Sequence, residues 1–213
     1  MKNLLYKELT LSIHPFFSLI MPFMLSLLFL IPNWIFTIVF LYFFWISAPQ
    51  IFSGYIAQLD QAFLSSLPVS KKSIAYSKVL SFIVLELMHL GFGGIVATIH
   101  VMLYGKGNFV MDVNPAFFGA VLIIYASFNI VFFPWYFRTA YRYGLPLIFA
   151  VIVSLLTAAF FELGTVLLPW LGRLMKSDSV SMQLGILLAG VAIFIGANLI
   201  AARWSYRNYM RIR

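Results

Sequence analysis

Apolar runs long enough to cross a lipid bilayer follow one another along nearly the whole chain, separated only by short polar breaks. A crossing helix needs about 20 apolar residues to cover roughly 30 Å of hydrocarbon at about 1.5 Å per residue. Five or six such helices use up most of the 213 residues and leave no room for a soluble catalytic domain. Only 9% of the residues are charged, where an ordinary soluble domain has about a quarter, and the mean hydropathy is +0.99. The chain therefore reads as all-α, a polytopic membrane protein with a single transmembrane domain over residues 1–213. Its 23 Phe, 11 Tyr and 5 Trp gather near the ends of apolar runs, where aromatic rings suit the lipid–water interface. Most of the Phe is expected to be lipid-facing bulk.

Residues 2–14 are too polar to cross. Asn3, Lys7, Thr10 and His14 fall on one helical stripe, with Leu5, Leu9 and Ile13 on the other side. This pattern predicts an interfacial helix lying on the membrane, ended by Pro15. It lacks the order of a signal peptide and is expected to be retained. A first crossing is read over 16–31, and Pro32-Asn33 turns the chain into a second over 34–56. The stretch 57–78 is the longest polar interruption and the natural place for a cytoplasmic partner. Crossings three and four cover 79–104 and 116–137, and Pro115 between them suits a helix start. A basic turn leads to a fifth crossing over 145–161. In 163–176 the apolar character continues, but Gly164, Pro169 and Gly172 interrupt it, which predicts an outer re-entrant or interfacial segment. A sixth crossing over 183–202 and a cytoplasmic tail, 203–213, complete the plan.

The formal net charge is +8, yet the basic residues sit at the ends of runs instead of forming one patch. That placement argues for orientation in a membrane and against nucleic acid as a partner. With the N-terminus inside, the inner segments hold Lys2, Lys7, Lys71, Lys72, Lys78, Arg138, Arg142, Arg203, Arg207, Arg211 and Arg213, and the outer ones only Lys106, Arg173 and Lys176. Eleven cations against three follow the positive-inside rule. The asymmetry supports an even number of crossings, with both termini cytoplasmic.

No G-x-x-x-x-G-K-[ST] run is present, so the chain binds no ATP through a phosphate loop, and ATP with its Mg would belong to another subunit. H-E-x-x-H and G-x-S-x-G are absent too, and neither a catalytic residue nor a metal site is assigned. With 0 Cys, disulfides, thiol catalysis and thiolate metal sites are excluded. What remains is a small set of polar groups inside apolar runs, costly enough in hydrocarbon to be functional candidates. Glu86 and His89 stand three apart and share a helix face. They either line a translocation path or proton site, or form a buried hydrogen-bonded pair that joins helices, for example with a neutral Glu86 donating to His89. His100, nearer the outer end, is expected to be solvated by the interface. Glu162 marks the outer end of the fifth crossing, as a water-facing carboxylate or a gate residue. Asn129 and Asn198 read as helix–helix contacts.

The inner stretch reads Asp60-Gln61-Ala62-Phe63-Leu64-Ser65-Ser66-Leu67-Pro68-Val69-Ser70-Lys71-Lys72. It resembles the cytoplasmic loop of ABC-2-type permeases, the membrane subunits of ATP-driven ABC exporters, where a Leu-Pro-Val-Ser-Lys-Lys pattern lies between the second and third crossings. The start is similar as well, with Lys7-Glu8-Leu9, Leu11-Ser12, His14-Pro15 and Ile31-Pro32-Asn33-Trp34. These motifs all lie before Val79, while the six-crossing plan extends the likeness over the whole chain.

The resemblance implies a permease, embedded in the bilayer, that borrows ATP hydrolysis from a separate ABC ATPase subunit. Two copies of that subunit would sit beneath a pair of permeases, either two copies of this chain or this chain with a related one. It also implies a coupling helix at Asp60, Phe63, Leu64, Leu67, Pro68, Lys71 and Lys72 that docks in a groove of the ATPase. The residue types suit that role: Ala62, Phe63, Leu64 and Leu67 offer a small apolar surface, Pro68 stops the helix, and Lys71 and Lys72 can hold the next turn against anionic headgroups. Residues 2–14 resemble the elbow helix of such exporters and 163–176 their outer re-entrant element. Members with this compact form include exporters of antimicrobial or cytolytic peptides, such as phenol-soluble modulins. The implied cargo is thus a hydrophobic or amphipathic peptide leaving a bacterial cell through its plasma membrane. Two other readings stay open on the residues alone: an ATP-independent membrane immunity or binding protein, and a proton-coupled carrier using Glu86.

Overall fold

Five helices of the chain are long and apolar enough to cross a membrane. The structure, a computed structural model, describes residues 2–105, 108 and 110–211, except the side chain of Ser18. Lys106 and Arg213, both counted in the charge asymmetry, lie outside the described residues. Helix α1 covers Lys2–Lys7 and runs into a π-helical turn, Glu8–Ser12. Helix α2, Met21–Ser26, is flanked by a π turn at Phe16–Ile20 and a 3₁₀ turn at Leu27–Leu30. Helices α3 (Thr37–Tyr42) and α4 (Ala48–Ala57) are joined by a π turn into one rod, Thr37–Ala57. Then follow α5 (Asp60–Ser66), α6 (Lys71–Tyr104), α7 (Pro115–Arg138), α8 (Gly144–Leu167), α9 (Pro169–Met175) and α10 (Val180–Met210). No strand occurs among the described residues.

Helix α7 is the axis of the molecule. Asn114 caps it by accepting from the Phe117 amide at 3.0 Å, and Pro115 occupies the first turn, where a missing N–H costs nothing. Its face at Phe128, Phe132 and Tyr136 meets Phe44, Phe52 and Phe82, with Phe44 and Phe128 stacked at 3.9 Å between ring centroids. Most of the 23 Phe are therefore buried between helices, a correction to the lipid-facing role expected of them. Aromatic rings supply large flat contacts, and dispersion is what holds helices together in a solvent as apolar as themselves. On the opposite side of α7, α10 approaches to backbone contact. A Cβ on Gly119 would lie 2.7 Å from the Ile186 carbonyl oxygen, and one on Gly190 would run into the Gly119 backbone. Helix α8 instead exposes Leu145, Ile148, Phe149, Ile152 and Leu156 along one face, at the spacing of a helix side turned to lipid.

Hydrogen bonds and ring contacts sort the connections into two ends. At one end, Lys7 meets Asp60, Tyr141 packs on Tyr209 at 5.6 Å, and Asn208 donates to the Pro134 carbonyl at 2.7 Å. This basic end gathers α1, α5, the α7–α8 turn and the last turn of α10. At the far end, Asn108 donates to the Trp34 carbonyl at 2.7 Å and Asn114 to the Met175 carbonyl at 2.8 Å.

Several element limits differ from the sequence reading. The third crossing, read from Val79, belongs to a 34-residue helix that starts at Lys71, capped by Ser70. At about 1.5 Å per residue it is about 51 Å long, more than the roughly 30 Å of hydrocarbon. The fifth crossing does not stop at Phe161 but continues to Leu167. Gly164 does not break it, because a glycine is needed there for contact with α9: a Cβ would sit 2.7 Å from the Leu171 side chain. Only at Leu168 does the chain extend, and Pro169 starts α9. The stretch 203–210, read as a tail, continues α10.

Candidate functional site

The turn between α4 and α5 places the loop residues singled out by sequence. Leu59 adopts φ +50°, a left-handed conformation uncommon for a leucine, which turns the chain sharply into α5. Leu67 is extended and Pro68 follows, so α5 is a short helix held between two turns. Asp60, its first residue, is 3% exposed and points inward. Its carboxylate lies 2.6 Å from the Lys78 ammonium of α6 and also pairs with Lys7 of α1. Glu8 closes the set, 3.3 Å from Lys7 and 3.4 Å from Lys78. Two cations and two carboxylates from three chain segments thus form one buried, balanced cluster. The Tyr55 ring covers it, 3.4 Å below the Lys78 ammonium, a cation–π contact strengthened by exclusion of water.

Burial alone would raise the Asp60 carboxyl, but Lys78 and Lys7 outweigh it and hold the group below the usual carboxylate range. Removing one member of such a cluster leaves an uncompensated buried charge, which costs about 3–5 kcal/mol. The cluster therefore fixes α5 against α1 and α6.

The rest of α5 divides by face. Leu64 is 1% exposed and packs inward, so it cannot offer surface to a partner as expected from the sequence. Phe63, 51% exposed, and Leu67, 37% exposed, remain at the surface with Ala62 and Pro68. Lys71 and Lys72 are exposed at the start of α6; the Lys71 ammonium lies 5.3 Å from the Tyr209 ring of α10, and Lys72 5.8 Å from the Tyr76 ring on its own helix.

A second polar group lies midway along the long helices. Glu86 accepts from Asn129 at 2.7 Å; Asn129 also donates to Asn198 at 3.0 Å, and Asn198 to the Phe194 carbonyl at 2.8 Å. His89 meets the Tyr125 hydroxyl at 3.3 Å. Glu86 and His89 share a face of α6, but each engages α7 separately, and the hydrogen bond expected between them does not form. Glu162 is buried as well, accepting from Thr37 at 2.7 Å, so it ties α8 to α3 and does not face water. His100, expected in interfacial solvent, is also buried, 2.6 Å from the Phe29 carbonyl.

Sequence reasoning met Glu8 only within a motif of the resemblance and gave Lys78 no role at the site beyond an orienting charge. The signal was present: of the 6 acidic residues, only Glu8 and Asp60 fall in the inner segments, and carboxylates that enter a membrane protein need cations nearby. Among the described residues no three His, Asp or Glu side chains come together as a metal site.

A family model described as ABC-2 family transporter protein matches residues 3–210. The chain belongs to the ABC-2 transporter family. It is the membrane permease of an ABC transporter, a multi-pass protein whose family implies an ABC ATPase partner. In this ABC-2 permease the basic end carries the short helix α5, pinned from within and bearing an apolar outer face. No curated protein and no solved structure matches the chain.

Proposed function

We propose that this permease is the membrane subunit of an ATP-driven exporter, and that α5 is the coupling helix on which the ATPase docks. The observation that carries this reading is the two-sided build of α5: Asp60 is locked to Lys7 and Lys78 on the inside, while Phe63 and Leu67 stand exposed on the outside. An apolar pair on a short helix fits a protein groove, and a buried ion cluster passes its displacement to α1 and α6 together. In this reading the basic end is cytoplasmic, since it holds nearly all the cations, and residues 16–31 make a sixth crossing beside the five long helices, placing both termini inside. Residues 2–14 form the elbow helix and α9 the outer re-entrant element. Two ATPase subunits, holding ATP and Mg, act on a pair of permeases in a bacterial plasma membrane. An apolar, aromatic-rich interior suits amphipathic peptides, lipids and hydrophobic drugs alike, and the resemblance to peptide exporters favours peptides as the cargo.

The alternative of a proton-coupled carrier draws less support. Glu86 and His89 sit inside the packed helices, and neither lines the groove of about 520 Å³ between α6 and α10. The test is the double substitution Phe63→Asp with Leu67→Asp, in reconstituted permease with its ATPase. The chain inserts normally, and peptide-stimulated ATP hydrolysis falls to the basal rate of the ATPase alone. Stimulated hydrolysis at the unaltered rate would refute the assignment.

A further inference from the structure

Along α6 an apolar row recurs every three or four positions from Tyr76 to Leu90, and along α10 another runs from Leu187 to Ala202. The two rows wall the groove of about 520 Å³, and Leu122 of α7, buried, closes its floor. Leu87, Ile195 and Leu199 on its rim are exposed, so the groove opens sideways toward hydrocarbon. Asn198 is the one amide among the lining residues, and its nitrogen and oxygen are both engaged, by the Phe194 carbonyl and by Asn129. With Tyr76 at one mouth, the interior suits hydrocarbon.

From Tyr76 to Leu90 the groove runs about 21 Å at about 1.5 Å per residue, which exceeds half of the roughly 30 Å of hydrocarbon. Its cross-section is then about 25 Å², against about 80 Å² for a helix about 10 Å across. The space admits one extended chain and excludes a peptide helix. The mouth at Tyr76 and Ala202 is also charged. Lys72 stands one turn before Tyr76 on the same row, its ammonium 5.8 Å from that ring, and Arg203 follows Ala202 directly; both are exposed. A slot as deep as one leaflet, with cations at its mouth, matches a ligand of two parts, an anionic headgroup and an acyl chain. A second copy of the chain fits less well. Twofold pairing about the membrane normal would set Lys72 and Arg203 of both copies side by side, and like charges repel.

We propose that the groove between α6 and α10 holds an acyl chain of an anionic phospholipid, whose phosphate meets Lys72 and Arg203. The lipid fills the space that the two helices leave open and ties α6 to α10. This binding is independent of the docking role given to α5.

The whole chain, without its ATPase, is reconstituted in phosphatidylcholine nanodiscs containing phosphatidylglycerol, and the lipid it retains is measured by native mass spectrometry. The unaltered chain retains phosphatidylglycerol in preference to phosphatidylcholine. Lys72→Gln with Arg203→Gln lowers that preference roughly tenfold or more. Lys72→Arg with Arg203→Lys keeps it, which separates lost charge from a folding defect. Arg138→Gln with Arg142→Gln, the same charge loss at the same end but outside the groove, leaves it unchanged. Ile83→Trp fills the groove with both cations intact and lowers retention of either lipid. An undiminished preference in the Lys72 and Arg203 variant would overturn the proposal, as would an equal loss in the Arg138 and Arg142 variant. Undiminished retention in Ile83→Trp, or displacement of the lipid by glycerol phosphate, would overturn the seat for the acyl chain. The chain has 0 Cys, so Leu87→Cys reports on a second copy: a disulfide between copies, formed in place of retained lipid, would give the groove to that copy and overturn the lipid.

Discussion

The charged cluster at the basic end and the polar layer around Glu86 are both buried, yet they are built on opposite principles. In the cluster, full charges balance, and each carboxylate is within reach of both Lys7 and Lys78. In the layer a single carboxyl, Glu86, is met by neutral Asn129, and one of its oxygens has no partner. The cluster joins three segments that are far apart in sequence, two of them short. The layer joins three long helices, α6, α7 and α10, that aromatic stacking and backbone contact already hold. A short helix has little packing of its own, so strong pairs must fix it; long helices need only modest fastening. The short helix is thus tied by charge, and the long helices around it by shape.

This contrast breaks most visibly at Lys78. Lys78→Met strands Asp60 and Glu8 beside Lys7 alone and lowers stability by about 3–5 kcal/mol, read as thermal unfolding in detergent. Adding Glu8→Gln recovers part of the loss, because one buried charge is removed with its partner. Asn129→Leu takes the donor from Glu86 and Asn198 at once. A smaller loss is expected, about 1–2 kcal/mol, with ATPase docking unchanged. Glu86→Gln keeps the shape of the layer and costs less than about 1 kcal/mol. Transport continues in that variant and does not respond to collapse of the proton gradient; its loss would turn the layer from a fastening into a proton site.

Acidification has the smallest effect. Because the Asp60 carboxyl is held below its unfolded value, its contribution is fully present above the unfolded carboxylate pKa and fades only as pH falls through the depressed folded one. Stability of the unaltered chain therefore differs little from Asp60→Asn in its slope between about pH 7 and about pH 5, and the two curves diverge only at more acid pH. A divergence near neutrality would mean that Lys7 and Lys78 do not hold this group.

The long helices were legible because hydrophobic length alone defines them, and the basic segments that gather at one end were legible from charge. A short helix in this loop was implied by the family resemblance, and its stop at Pro68 followed from local chemistry. Which face of α5 turns inward did not, since seven residues give no reliable apolar period and the decision rests on Lys7, more than fifty positions earlier. The same holds for Glu162 and His100: their burial depends on Thr37 and Phe29, which belong to other helices. Gly164 misled in the other direction. In sequence it looks like a break, whereas in the fold it is a contact surface for Leu171.

The chain has 0 Cys, so Phe63→Cys supplies its only thiol and allows the docking face of α5 to be read directly in cells. That thiol is predicted to crosslink to the ATPase subunit and to resist a membrane-impermeant reagent added outside, whereas a thiol from Trp170→Cys on α9 reacts with the same reagent. Labelling of the Phe63→Cys variant from outside, with no crosslink to the ATPase, would contradict the account.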